Sequence, residues 1–338
     1  IESFGYELAP NVVTSEDLES RLAMAYSKLH FQRGQLEALT GIVERRYWDP
    51  GFPMHEGATR AGKKAIIASG ISPGRIGMLI YAGVCRDNLE PATACATANA
   101  LGIPSDAMLY DVSNACLGVL NGMVQAADAI ELGHVKAALV VSCESARQIV
   151  DQTIERLNGS PDMDTFKKTI ATLTGGSGAV AVLLTNKSVS SRGHSIHGAV
   201  VRHAAQHHRL CRWGPVDGIL AGDSQIMETD SVEVLKNGVE LGTDTFRDFI
   251  KHLEWGKDKP DKIICHQVGS AHQKTILESI AMDSKKDFTT FQYLGNIGTV
   301  SLPITAAIAA EREFLLPGDY VGFFGIGSGL NCIMIGIE

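Results

Sequence analysis

Two stretches of this chain are apolar almost all the way round a helix, and that limits the folds open to it. Leu117–Ile130 confines its polar residues, Asn121, Gln125 and Asp128, to one narrow stripe. Leu302–Ala310 carries a single polar residue, Thr305, with Pro303 near its start, where proline is tolerated. Helices of this kind are buried on most sides, so each needs protein on both flanks. Seven strand-like runs can supply it: Gly77–Val84, Ala107–Val112, Lys136–Ser142, Gly178–Thr185, Lys262–Cys265, Tyr320–Phe324 and Cys332–Ile337. Strands alternating with helices imply an α/β fold. Two buried helices packed between two sheets imply five layers.

The two helices sit in matching surroundings. Asn114-Ala115-Cys116 leads into the first, which is followed by Leu132-Gly133-His134 and the run Lys136–Ser142. Asn296-Ile297-Gly298 leads into the second, which is followed by Pro317-Gly318-Asp319 and the run Tyr320–Phe324. Identities are few but the order is the same, which implies an internal duplication. The stretch 186–198, rich in Ser, Gly and His, marks the boundary. It divides the chain into halves 1–190 and 191–338. The polar stretch from Ile154 to Lys168 reads as a surface excursion or lid.

Composition excludes several classes. A length of 338 residues suits two domains or one large α/β unit. The net charge of −8 argues against a general nucleic-acid binder, although Arg202, Arg209 and Arg212, with His203, His207 and His208, form one candidate basic patch. No apolar run is long enough to span a membrane, and the first residues lack the order of a secretory signal. The seven cysteines are scattered and form no C-x-x-C pair. Neither a disulfide framework nor a structural zinc site is expected, and a reducing cytoplasm fits best. The three clustered histidines have metal-like spacing, but no Cys or acid joins them, so no metal is expected.

Cys116 stands between a strand-like run and an apolar helix. There the helix dipole and unpaired backbone N–H groups favour thiolate over thiol, and the thiolate is the nucleophile. Two further segments could serve it: His266-Gln267, after a strand-like run, and Asn296, between Gly295 and Gly298. Each has a plainer reading. A buried cysteine is more often inert core, and Cys85, Cys95, Cys143, Cys211, Cys265 and Cys332 are read that way. His266 alone could be a core histidine, and His272 reads as a helix-surface residue. Asn296 could be a turn residue, and Glu90, before Pro91, a helix-start acid. Gly325-x-Gly327-x-Gly329 is no dinucleotide motif, because another strand-like run follows it. Gly175-x-Ser177-x-Ala179 lacks the last glycine of a hydrolase elbow.

Taken together, the motifs resemble the thiolase superfamily in its ketoacyl-ACP synthase III-like branch. The matching pieces are Thr40-Gly41-Ile42-Val43-Glu44-Arg45-Arg46, Asn114-Ala115-Cys116, Gly175-Gly176-Ser177-Gly178-Ala179, His266-Gln267, Gly295-Asn296-Ile297-Gly298 through Pro303, and Gly325-Ile326-Gly327-Ser328-Gly329. They occur in family order over nearly the whole chain. Within the branch, Arg86-Asp87-Asn88-Leu89-Glu90-Pro91 and the closing Gly325 to Cys332 stretch are most similar to the thiolases that open long-chain olefin biosynthesis. That likeness implies a homodimer acting on fatty acyl-CoA in a head-to-head Claisen condensation to a 2-alkyl-3-ketoacid. It implies no metal or redox cofactor, and it makes other olefin-pathway enzymes candidate partners. It assigns the nucleophile to Cys116 and the binding of the second thioester oxygen to His266 and Asn296. The oxyanion and substrate loop falls to Gly327, Ser328 and Gly329, and the proton-abstracting carboxylate to Glu90, reaching into the partner subunit. Leu89 and the segment near Ile154 are the candidates for acyl-channel lining. Two alternatives use the same fold: a ketoacyl-ACP synthase III, which decarboxylates malonyl-ACP and needs no Glu90, and a non-catalytic scaffold, which needs none of these side chains.

Overall fold

The computed structural model describes residues 1–215, 225–256 and 258–338. Two mixed sheets form its frame. The first runs Ser3–Leu8, Gly178–Thr185, Ala137–Glu144, Met78–Ala82, Met108–Val112 in spatial order. The second runs Ile196–His203, Asn331–Ile337, Val321–Gly327, Lys262–Cys265. In each, the first two pairings are antiparallel and the third is parallel. The second sheet thus repeats four strands of the first in order and direction. The extra strand, Met108–Val112, lies at the edge of the first sheet and leads into the Cys116 turn.

Side-chain alternation explains the layers. Met78, Ile80, Ala138, Val140, Ile333 and Ile335 face one common core with Val119, Leu120, Met123, Leu302 and Ile304 of the helices Gly118–Glu131 and Ser301–Glu311. The alternate residues Leu79, Tyr81, Leu139 and Val141 face outward onto the helices Met54–Ser69 and Thr93–Leu101. In the second sheet Cys332, Met334 and Phe324 face the helices Ser231–His252 and Ser270–Ser279. Period-two strands buried on both faces require this sandwich of helix, sheet, helix pair, sheet and helix. The polar stripe of the first central helix points to the open side, where Gln125 and Asp128 are exposed. Thr305, the one polar residue within Leu302–Ala310, is satisfied inside the core by the Ser301 carbonyl (2.8 Å) and the Thr290 hydroxyl (2.6 Å).

The polar stretch near Ile154 is not a lid. It forms the helices Arg147–Gly159 and Met163–Thr169. Ile149, Val150, Ile154 and Leu157 make a buried stripe against Leu18, Leu22, Tyr26 and Leu36, and its charges are the solvent face of that amphipathic helix. The second helix is capped by Asp162, which accepts the Thr165 N–H at 2.7 Å. No helix among the described residues is long and apolar enough to cross a membrane.

The two sheet systems are bolted together by a glycine contact. Gly176 donates its N–H to the Asn296 carbonyl (2.9 Å), and Asn296 donates its own to the Thr174 carbonyl (2.9 Å). A Cβ on Gly176 would collide with the backbone carbonyl of Leu294, an atom that cannot rotate away. Gly176→Ala is therefore expected to lower unfolding free energy by about 1–3 kcal/mol, read as a reduced midpoint in urea at unchanged slope.

Candidate active site

The Cys116 turn is built from a strained residue. Ala115 has φ +44°, a left-handed conformation that costs a non-glycine residue about 1–3 kcal/mol. It turns the chain sharply between the edge strand and the helix Gly118–Glu131. Side-chain bonds hold the turn in place. Asn114 Nδ2 donates to Asn121 Oδ1 at 2.7 Å, and Asn331 Nδ2 donates to the Ser328 carbonyl at 3.1 Å and lies 3.4 Å from Asn114 Oδ1. The Ser328 loop is thereby tied to the nucleophile turn. At the helix start the Val119 N–H donates to Thr299 Oγ1 from the other half (2.7 Å). A buried helix end needs such a partner.

Cys116, His266, Asn296, Gly327 and Ser328 line one cavity. A Cβ on Gly327 would stand 3.3 Å from the Cys116 nitrogen and 3.2 Å from Leu117 Cγ, so the absence of a side chain keeps the approach to the Cys116 N–H open. Gly325 is bare for packing: a Cβ would press Leu120 and Leu117 at 2.5 and 2.6 Å. Gly329 does not reach the cavity. It lies with φ +111° in the hairpin turn joining Val321–Gly327 to Asn331–Ile337, facing Asn331. Asn296 Oδ1 accepts the Gly298 N–H at 3.0 Å, which fixes the carboxamide and reserves its NH₂ as the donor. His266 is anchored through its main chain, its N–H donating to the Phe324 carbonyl at 2.9 Å, and its Nδ1 is buried without a partner.

The ionisation states differ from those expected of the helix start. Burial, followed by the neighbouring Cys211 and Glu144, pushes the Cys116 thiol up to about 12. Burial, followed by His272, pushes the His266 imidazole down to about 4. Both shifts favour a thiol beside a neutral imidazole at rest. Desolvation of the sulfur opposes the helix-end effect, which is worth about 0.3–1 kcal/mol at an exposed site.

Glu90 is absent from this cavity within one chain. It sits exposed on the loop 83–92 with Leu89, which is 73% exposed and does not line the cavity of its own chain. The wall comes from residues without a local sequence signal: Met227, Val234, Gly238, Gly242 and Ile276. Cys211, Cys265 and Cys332, read as core thiols, also line it. Burial raises Cys265 well above the usual range and Cys332 to about 11, which keeps these two protonated. His272 faces the cavity rather than solvent. Glycines at 238 and 242, four apart on one helix, are the one clue that a helix face there stays bare.

The basic patch divides. Arg202 pairs with Asp248 at 2.6 Å on the second sheet's outer face. Arg209 and Arg212 instead edge a groove with Lys167 and Lys168 that shares Thr229 and Ser231 with the cavity wall. Among the described residues no group of three His, Cys, Asp or Glu side chains is placed to hold a metal.

Two measurements test this geometry. Gly327→Ala is expected to slow acylation of Cys116 by up to about 100–1000-fold, the range for a lost oxyanion donor, with little change in thermal stability. Alkylation of Cys116 by iodoacetamide, followed by peptide mass spectrometry, should climb about tenfold per pH unit from pH 7 to 10 without a plateau, because the thiolate stays a minor form below about 12.

Known proteins resemble this chain over its whole length. The family described as 3-oxoacyl-[acyl-carrier-protein] synthase III matches residues 110–203, and that family's C-terminal part matches residues 250–337. The acyl-CoA:acyl-CoA alkyltransferase of Shewanella oneidensis is 52% identical over 341 residues, covering 100% of this chain and 98% of the relative. A cysteine-to-serine variant of Xanthomonas campestris OleA, solved with lauric acid and lauroyl-CoA, is 35% identical and superposes with a TM-score of 0.93 over 100% of this chain and 98% of that one. A glutamate-to-glutamine variant of the same OleA is 34% identical, with a TM-score of 0.94 over 100% of this chain and 95% of that one.

Proposed function

The chain belongs to the ketoacyl-ACP synthase III-like branch of the thiolase superfamily, and we infer that it is an acyl-CoA:acyl-CoA alkyltransferase of the OleA type. It joins two fatty acyl-CoA molecules head to head. The observation that carries this reading is the meeting of Cys116, His266 and Asn296 in one cavity whose remaining wall is mostly apolar. Full-length identity to an alkyltransferase of that activity supports it.

The chemistry runs in two halves. Cys116 Sγ attacks the first thioester carbonyl. The sulfur–acyl bond forms, the bond to CoA breaks, and the departing CoA sulfur takes up the thiol proton. The Cys116 N–H beside Gly327 is the first oxyanion donor. The second acyl-CoA then places its thioester oxygen against the Asn296 NH₂ and the neutral His266. Glu90, contributed by a second copy of the chain, takes the α-proton, which those donors make more acidic. The resulting carbon nucleophile attacks the acyl group on Cys116. A carbon–carbon bond forms, the carbon–sulfur bond breaks, and the proton on Glu90 returns to the sulfur. Hydrolysis of the remaining thioester frees CoA and a 2-alkyl-3-ketoacid. The groove holds Lys167, Lys168, Arg209 and Arg212 beside Asp164, Glu228 and Asp230, with Arg212 paired to Glu228 at 3.5 Å, so Lys167, Lys168 and Arg209 are its candidates for meeting the phosphates of CoA.

A homodimer fits the exposed edge of the first sheet. Met108 and Leu109 are 39% and 37% exposed on an unpaired edge strand, a surface that natural proteins cover. The halves 1–190 and 191–338 are the two arms of the duplicated fold. Free thiols at Cys85, Cys95 and the other five cysteines suit a reducing cytoplasm. Other olefin-pathway enzymes are candidate partners that would take the ketoacid onward.

Myristoyl-CoA as sole substrate should yield CoA and the C28 ketoacid by mass spectrometry. Glu90→Ala should still form the acyl adduct on Cys116 but lose condensation by at least 100-fold. Turnover only on addition of malonyl-ACP would overturn this reading in favour of a decarboxylating synthase, and no adduct on Cys116 would favour a scaffold.

A further inference from the structure

Glu144 is a buried carboxylate that the reaction above does not use. It ends the strand Ala137–Glu144, in which every residue is buried, and is itself 4% exposed. Its two oxygens accept main-chain N–H groups, from Val84 at 2.8 Å and Cys85 at 3.1 Å. These residues are the root of the loop that carries Glu90. Little room is left for the carboxylate to move. A Cβ on Gly83 would stand 3.1 Å from Oε1, and one on Gly298 would stand 3.7 Å from Cγ. Gly298 in turn holds the Asn296 carboxamide. The carboxylate is wedged between the Glu90 loop and the Asn296 turn.

The loop is fastened again further along. Asp87 accepts the Met54 and His55 N–H groups at 2.6 and 3.0 Å and meets the His55 ring at 2.8 Å. The Tyr81 hydroxyl lies 2.6 Å from the Cys85 carbonyl. Glu90 lies beyond these anchors with its side chain exposed. Burial raises the Glu144 carboxyl to about 7, so a costly group occupies this place. A carboxamide could not replace it without turning its NH₂ onto one of the two N–H groups it must accept.

We propose that Glu144 is a positioning residue for the condensation step, holding Val84 and Cys85 so that the loop presents Glu90 to the second copy's cavity at a fixed angle. It is not among the residues that line the cavity and acts through Glu90, so the inference rests on the Glu90 role above. Acylation of Cys116 needs no Glu90 and is independent of it. Glu144 is also one of the groups that raise the Cys116 thiol, so removing its charge gives acylation no electrostatic reason to slow.

The test uses the full-length enzyme as Glu144→Ala and as the near-isosteric Glu144→Gln, with myristoyl-CoA. The acyl adduct on Cys116 is timed by intact-protein mass spectrometry and the ketoacid is quantified separately. Both variants should acylate within about threefold of the parent rate and condense at least fivefold more slowly. A residue needed only for folding would depress both steps together. Parallel loss of both steps in Glu144→Gln, or condensation within twofold of the parent in that variant, overturns the proposal, and this variant decides the matter alone if Glu144→Ala does not fold. Glu90→Ala is run alongside. If it condenses normally, the assignment of Glu90 as base fails, whatever Glu144 does. If it fails to condense while both Glu144 variants condense normally, only the positioning role is lost.

Discussion

A helix end buried inside a protein must find partners for its free N–H groups, and that requirement shapes this molecule. The helix behind Cys116 is surrounded on most sides by sheet and by its counterpart Ser301–Glu311, so water cannot serve it. The partner is Thr299 Oγ1, at 2.7 Å from the Val119 nitrogen, carried by the turn that also carries Asn296. One hydrogen bond thus joins the segment bearing the nucleophile to the segment bearing the carboxamide. The Gly176 and Asn296 pairing repeats the arrangement a few residues away. The cavity is held between two sheet systems because neither could bury its central helix alone.

The sequence made the frame legible because burial on all sides leaves a plain pattern. Leu117–Ile130 and Leu302–Ala310 announced their place through what they lack. The turns before them disclosed Cys116 and Asn296, and the run Lys262–Cys265 disclosed His266. The strand Ser3–Leu8 gave no such signal, since it is half-buried at the sheet edge. The amphipathic helix Arg147–Gly159 was hidden by its charged face. The cavity wall was illegible for another reason. Met227, Gly238, Ile276 and Met334 come from distant parts of the chain, and only the closed fold gathers them.

The protonation state of Cys116 was the most instructive divergence. Local sequence shows the helix start and so points to an easily ionised sulfur. It does not show that Cys211, Glu144 and the walls of the core surround that sulfur. Desolvation is a property of the assembled fold, and here it works against the local effect. Glu144 belongs with this lesson. As the last residue of an apolar strand it looks like the ordinary polar end of a β-segment, yet both its oxygens are engaged inside the protein.

The edge strand Met108–Val112 ends four residues before Cys116 and feeds straight into its turn. Edge strands fray before central ones. An isolated subunit would therefore hang its reactive sulfur from the loosest margin of its sheet. Assembly along that margin would convert the margin into an interior, so quaternary structure and the rigidity of the reactive turn would rise and fall as one quantity.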